Sequence, residues 1–316
     1  MLRLLVTRPL PDAVMQAACA RFEVVARAST LPLEAAELRA ALRDFDLVLP
    51  TLGDLFSAQV FADVPQPRAR LLANFGVGYN HIDVAAARAA GIAVTNTPGA
   101  VTDATADIAL TLILMTARRA GEGERLVRAG QWQGWHPTQM LGLHVSGKKL
   151  GIIGMGRIGQ AIARRCHYGF GMEVVFHNRS AIDPGLPARQ VPLTEVMAAD
   201  VVVVAVPGGP ETHHLIGAAE LALMAPHAII VNIARGGIVD EAALIAALQA
   251  GRIACAGLDV YEQEPEVPGA LRALENVTLL PHLGTAALEV RVAMGMMAVE
   301  NLIACAEGRP LPNPVT

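Results

Sequence analysis

The stretch Leu150-Gly151-Ile152-Ile153-Gly154-Met155-Gly156-Arg157-Ile158-Gly159, with Val174-Val175-Phe176-His177-Asn178-Arg179-Ser180 about twenty residues on, decides the fold. It is an apolar strand running into Gly-x-Gly-x-x-Gly at the start of a helix. Gly154 allows the tight turn, Gly156 lets backbone approach a pyrophosphate, and Gly159 lets helix pack on strand. The helix N-terminus then offers free amides to phosphate oxygens. A bare glycine pattern is weak evidence in a chain with 29 glycines. The strand before it and the polar stop after Phe176 make it strong. An NAD site places an acidic residue after the second strand for the ribose 2′-hydroxyl, whereas here Asn178 is followed by Arg179, suited to a 2′-phosphate. The stretch therefore predicts a dinucleotide site with NADP(H) preferred and NAD(H) also admitted.

Outward from this motif, short apolar runs alternate with alanine- and leucine-rich amphipathic stretches, the pattern of βαβ units and a parallel sheet. Downstream, strands are expected at 150–153, 173–176, 201–206, 229–233, 253–258 and 277–280, six in all, making a complete dinucleotide-binding domain. Upstream they are expected at 2–7, 23–25, 47–49, 71–74 and 93–95, with helices over 11–20 and 33–43. Asp83 is placed to cap a helix that Gly91 stops, and Asp240 to cap another. A long helix is expected from the N-cap Thr102 to about Arg119, followed by an irregular arm over 121–145 suited to packing on a partner subunit. The last helix, 288–308, has no strand beside it and is expected to return to the first domain. The fold class is thus α/β: two doubly wound parallel sheets, with a Rossmann-type cofactor domain (99–286) inserted into a flavodoxin-like substrate domain (1–98 and 287–316).

With 316 residues the chain has room for two domains, and its formal charge of −4 gives no reason to expect nucleic acid or an anionic membrane as partner. Cys19, Cys166, Cys255 and Cys305 are scattered, which argues against a zinc site or disulfide framework and suits a reducing compartment. The N-terminal apolar run is too short for a signal peptide, and 108–115 is too short to span a membrane. A cytoplasmic protein without metal is expected.

Three polar residues stand where apolar strands end, the place where doubly wound sheets bind ligands. Arg235 follows Ile229–Ala234 and can clamp a carboxylate through two parallel hydrogen bonds. Glu264 and His282 follow the next two strands. Adjacent strand ends would let Glu264 accept a hydrogen bond from one imidazole nitrogen, orient the ring and favour its protonated form. An acidic histidine aimed at a carbonyl oxygen is what ketone reduction needs, because hydride arrival at carbon creates an alkoxide. Taken singly, Arg235 could be a turn residue and His282 a structural one; the three together are harder to dismiss. Asp259 is either a contact to the nicotinamide carboxamide or a cap. Val206 and Pro207 would line the adenosine side. His213 and His214 read as solvated loop residues. In the first domain, Asn74-Phe75-Gly76-Val77-Gly78-Tyr79 puts two glycines around Val77 and suits a small carboxylate, or forms a plain turn.

These segments resemble the D-isomer-specific 2-hydroxyacid dehydrogenases over essentially the whole chain, through 74–83, 96–98, 102–110, 147–159, 207–216, 232–240, 256–265 and 281–285. The resemblance implies that Arg235 binds the 2-oxo acid, His282 donates the proton and Glu264 is its partner. It implies that Val77 and Gly78 amides hold the substrate carboxylate while Asp259 contacts nicotinamide. Thr105, Arg157, Ile158, Thr212 and Ala234 fall to the cofactor with Gly154, Gly156, Gly159 and the 178–180 segment. Within the family the chain is similar to glyoxylate/hydroxypyruvate reductases, a group that often carries an Arg-Ser pair after the second cofactor-domain strand and prefers NADPH. With an end at Thr316, the regulatory domain of some phosphoglycerate dehydrogenases is not expected, and a homodimer is. Two other readings stay open: reduction of larger 2-oxo acids such as aryl pyruvates, and a corepressor-like scaffold that senses nucleotide without catalysis.

Overall fold

The computed structural model describes residues 1–315, which divide into a unit of Met1–Val101 with the segment from Ala286 onward, and a unit of Thr102–Thr285. In the first unit, β1 (Arg3–Val6), α1 (Asp12–Cys19), β2 (Glu23–Ala26), α2 (Ala35–Asp44), β3 (Leu47–Leu49), α3 (Ala58–Ala62), β4 (Leu71–Ala73), α4 (Val84–Ala89) and β5 (Ala93–Thr95) alternate. All five strands are parallel, in the order β2-β1-β3-β4-β5. Asp83 accepts from the Ala86 amide at 2.9 Å and starts α4, and Gly91 at φ +75° ends it.

The second unit opens with α5 (Thr102–Ala117), in which Thr102 is the first helical residue rather than the cap. The segment after it, expected to be irregular from 121, instead forms α6 (Ala120–Arg128) before the chain loses regular structure. Gly121 and Gly123 read as breakers, but Arg119–Glu122 and Arg128–Glu124 ion pairs one turn apart oppose the glycine cost of about 1 kcal/mol each. Then follow β6 (Lys149–Ile153), α7 (Arg157–Phe170), β7 (Glu173–His177), β8 (Ala188–Gln190), α8 (Leu193–Met197), β9 (Val201–Val204), α9 (Ala218–Leu221), β10 (Ile229–Asn232), α10 (Glu241–Gln249), β11 (Cys255–Leu258), α11 (Gly269–Arg272) and β12 (Val277–Leu279). The sheet has seven parallel strands, not six, in the order β12-β11-β10-β9-β6-β7-β8. The additional strand β8 is three residues, Ala-Arg-Gln, at the edge, and has no apolar run to betray it.

Period-two alternation explains why the inner strands read as unbroken apolar runs. Val201, Val203, Ile229, Val231, Leu150 and Ile152 pack on one face with Leu112, Ile113 and Ile162, while Val202, Val204, Ile230 and Ala256 pack on the other with Met197, Leu244 and Leu248. Helices α5 and α7 cover the first face closely: a Cβ on Gly257 of β11 would fall 2.6 Å from Thr116 Oγ1. The chain closes with α12 (Leu288–Ala306), which packs on α1 so tightly that a Cβ on Gly295 would lie 2.4 Å from Val14 Cγ2. The described residues contain no helix long and apolar enough to cross a membrane.

Candidate active site

Arg235, Glu264 and His282 follow β10, β11 and β12, three neighbours in the sheet whose ends lie in register at Asn232, Leu258 and Leu279. Each is fixed by local chemistry. Asn232, fully buried, accepts from the Ala234 amide at 3.0 Å and donates to the Arg235 carbonyl at 2.9 Å, which shapes the turn out of β10. Gly236 must be glycine because a Cβ there would lie 1.8 Å from the Tyr261 carbonyl carbon. A Cβ on Gly208 would meet Arg235 Cγ at 2.7 Å, so the arginine stem rests on bare backbone. Burial lowers the affinity of Arg235 for its proton and Glu264 opposes that effect; a guanidinium stays charged regardless.

His282 Nδ1 lies 2.7 Å from Glu264 Oε2. A carboxylate only accepts, so Nδ1 carries the hydrogen and Nε2 is turned to other work. Glu264 Oε1 accepts from the Tyr261 amide at 3.1 Å. Burial raises the Glu264 proton affinity, but the bond from His282, its charge, the Tyr261 amide and Arg235 together bring it below the usual carboxylate value. His282 sits at φ +55°, a left-handed conformation that costs a side-chain-bearing residue energy. Asp259, 1 % exposed, offsets that cost: its carbonyl accepts from the His282 amide at 3.0 Å and its carboxylate from the Leu283 and Gly284 amides at 2.6 and 2.8 Å. Burial, partly countered by those amides and His282, pushes the Asp259 proton affinity up. Thr105 Oγ1 donates to the Gly284 carbonyl at 3.2 Å. Asp259 and Thr105 thus hold the His282 turn, a job their sequence positions did not disclose.

The glycine loop lies at the sheet's switch point, between β6 and β9. Gly154 has φ +97°, and a Cβ on it would lie 2.8 Å from the Ala205 carbonyl and Val206. A Cβ on Gly159 would strike the Gly154 oxygen at 2.1 Å, whereas one on Gly156 would meet nothing within 4 Å. That open approach, at the amides that begin the fourteen-residue α7, fits a pyrophosphate. Arg157 is exposed beside it and Ile158 half-buried. Asn178 Oδ1 accepts from the Met155 amide at 3.4 Å and Nδ2 donates to the Ser180 carbonyl at 2.9 Å, joining the end of β7 to the loop. Thr212 closes the segment after Val206-Pro207 by donating to the Pro207 carbonyl at 2.8 Å. Arg179 Nη1 lies 2.6 Å from Glu211 Oε2, both side chains exposed. Glu211 was not singled out in the sequence, since no local pattern announces a residue that reaches across from another loop. His213 and His214 are both exposed, and His214 Nε2 lies 2.8 Å from Glu262 Oε1.

In the other unit, Gly76, Val77 and Gly78 are half-buried directly after β4, with Gly76 at φ +155°.

The sequence model of the D-isomer specific 2-hydroxyacid dehydrogenase, NAD binding domain, matches residues 110–284. The chain is 43 % identical to a glyoxylate reductase of Thermococcus gammatolerans, over 98 % of this chain and 94 % of that protein. A protein of Thermus thermophilus superposes with a TM-score of 0.92 at 43 % identity, both chains fully covered. The NADPH-dependent glyoxylate/hydroxypyruvate reductase of Sinorhizobium meliloti, solved with NADP and malonate, superposes with a TM-score of 0.89 at 37 % identity, over 100 % of this chain and 97 % of that one.

Proposed function

The chain belongs to the D-isomer specific 2-hydroxyacid dehydrogenase family and is an NAD(P)-dependent reductase of glyoxylate-type 2-oxo acids, and from that premise we propose that it prefers NADPH and uses His282 as proton donor. The observation that carries this reading is the 2.7 Å contact between His282 Nδ1 and Glu264. A carboxylate on one ring nitrogen favours the imidazolium and leaves Nε2–H to be given to the substrate oxygen. Bound reduced nicotinamide supplies the hydride that goes to the carbonyl carbon. Arg235 and the Val77 and Gly78 amides hold the substrate carboxylate, and the 2-hydroxy acid leaves once His282 has protonated its oxygen. Asp259 and Thr105 keep the imidazole turn in place, and Asp259 retains acceptor capacity for a carboxamide. Gly154, Gly156, Gly159, Arg157 and Ile158 take the pyrophosphate, with Val206, Pro207, Thr212 and Ala234 along the cofactor.

The NADPH preference is supported by Asn178 in place of an acidic residue and by the guanidinium of Arg179 beside it. The Arg179–Glu211 pair is exposed and therefore weak, so a 2′-phosphate can displace it. The apolar side chains left exposed on α6 and beyond, Val127, Trp132, Trp135 and Leu141, suit a homodimer contact. Sedimentation of the protein as a monomer at micromolar concentration would dispose of that contact.

The test is NADPH oxidation with glyoxylate, hydroxypyruvate and phenylpyruvate, repeated with NADH. Glyoxylate or hydroxypyruvate turns over fastest with NADPH. His282→Gln loses about a hundredfold or more of kcat while NADPH titration is unchanged. Turnover of the variant at the wild-type rate refutes the donor role, and phenylpyruvate as best substrate refutes the substrate class.

A further inference from the structure

The loop after β4 presents amides because its carbonyls are captured from beneath. Asn74 follows the last residue of β4 and is 1 % exposed. Its Nδ2 donates to the carbonyls of Gly76 and Gly78, each at 3.0 Å. Asn96, just past the neighbouring β5, donates to the Val77 carbonyl at 2.9 Å, and the Thr97 amide donates to the Gly76 carbonyl at 3.1 Å. All three carbonyls from Gly76 to Gly78 are therefore tied to buried or half-buried groups at the sheet end.

A peptide unit is planar and trans, so its C=O and the next N–H point in opposite directions. Holding the Gly76 oxygen inward turns the Val77 N–H outward, and holding the Val77 oxygen inward turns the Gly78 N–H outward. Among the described residues neither amide donates to a protein acceptor. The orientation of Asn74 is itself fixed. His81, buried, places Nε2 3.0 Å from Asn74 Oδ1, so an Nε2–H there selects the amide orientation in which Nδ2 faces the two carbonyls. The reversed amide would set an oxygen against both carbonyl oxygens.

We propose that Asn74, oriented by His81 and joined by Asn96, is a positioning residue that aims the Val77 and Gly78 amides at the substrate's carboxylate and so sets selectivity for 2-oxo acids over uncharged carbonyl compounds. This rests on the reading that those amides bind the carboxylate. Two outward N–H groups carry partial positive charge and favour an anion, and a planar carboxylate presents two oxygens to them. Sequence patterning shows two glycines around Val77 but not which peptide groups point where.

The test compares Asn74→Ala and Asn74→Asp with wild type, using glyoxylate, its methyl ester as an uncharged substrate, and oxamate as a carboxylate inhibitor. In the variants the glyoxylate KM rises about tenfold or more, as for loss of a hydrogen bond to a charged group, and oxamate inhibition weakens in parallel. The kcat, the NADPH Kd by fluorescence titration and the ester kinetics stay close to wild type. Loss spread equally over acid and ester, or an unchanged glyoxylate KM, overturns the inference. If Asn74 variants do not fold, Asn96→Ala, which releases only the Val77 carbonyl, must show the same split at smaller size. A wild-type enzyme that reduces ester and acid alike and ignores oxamate refutes the underlying carboxylate reading instead, so the two failures are told apart.

Discussion

Glu264→Gln separates the charge of the carboxylate from its shape. Glutamine keeps an oxygen that can accept from His282 Nδ1 but removes the negative charge 2.7 Å away. Two unit charges about 4 Å apart in a partly wet site, at an effective dielectric constant near 20, attract by roughly 4 kcal/mol. The His282 and Glu264 side chains keep 30 % and 28 % of their exposure, so exchange with water reduces this to the net value of a charge-assisted bond, about 1.5–3 kcal/mol. If the imidazolium is the proton donor, kcat/KM for reduction falls about ten- to hundredfold near neutral pH. Glu264 is ionised through neutral pH because its proton affinity lies below the usual value, so the charged partner of His282 is lost only as acid protonates it. The variant has no group to ionise at that position, so this acid-side dependence is absent from its profile. For folding, a depressed carboxylate contributes stability that is present above its unfolded-state value and lost as pH falls through the depressed one, so neutral-pH stability of wild type includes it. The assay is steady-state kcat/KM against pH at saturating NADPH, with nucleotide binding measured separately. An unchanged profile in a folded variant would remove Glu264 from the mechanism.

Arg179→Ala weakens NADPH about tenfold or more and NADH little, since only the former has a 2′-phosphate for the guanidinium; equal loss for both defeats the argument. Glu211→Gln acts oppositely, tightening NADPH modestly by freeing Arg179 from its 2.6 Å partner, and a looser NADPH Kd counts against that competition. Gly159→Ala would force a Cβ to within 2.1 Å of the Gly154 oxygen, so we expect about 3 kcal/mol or more of lost stability with weakened nucleotide binding; a wild-type thermal midpoint contradicts the packing account.

The glycine motif, the apolar runs and their spacing were legible in the sequence because they report on short-range physics: turn conformations, strand burial on two faces and helix stops. They were enough to place Arg235, Glu264 and His282 after successive strands of a parallel sheet. Where local signals were weak or misleading the reading failed. The edge strand β8 is too short and polar to show a period, and α6 contains two glycines that a local rule reads as breaks.

By itself, then, the sequence determined the α/β class, the dinucleotide loop and the placing of Arg235, Glu264 and His282 just past strands, since each rests on contacts within a few residues or on one strand's pattern. Tertiary structure alone decided that β12, β11 and β10 are neighbours, that Asp259 and Thr105 restrain the left-handed His282 turn, that Glu211 reaches Arg179, and that Asn74 and Asn96 pull three carbonyls to one side. These depend on hydrogen bonds whose partners lie on different elements, and directional bonds of that kind leave no periodic trace along the chain.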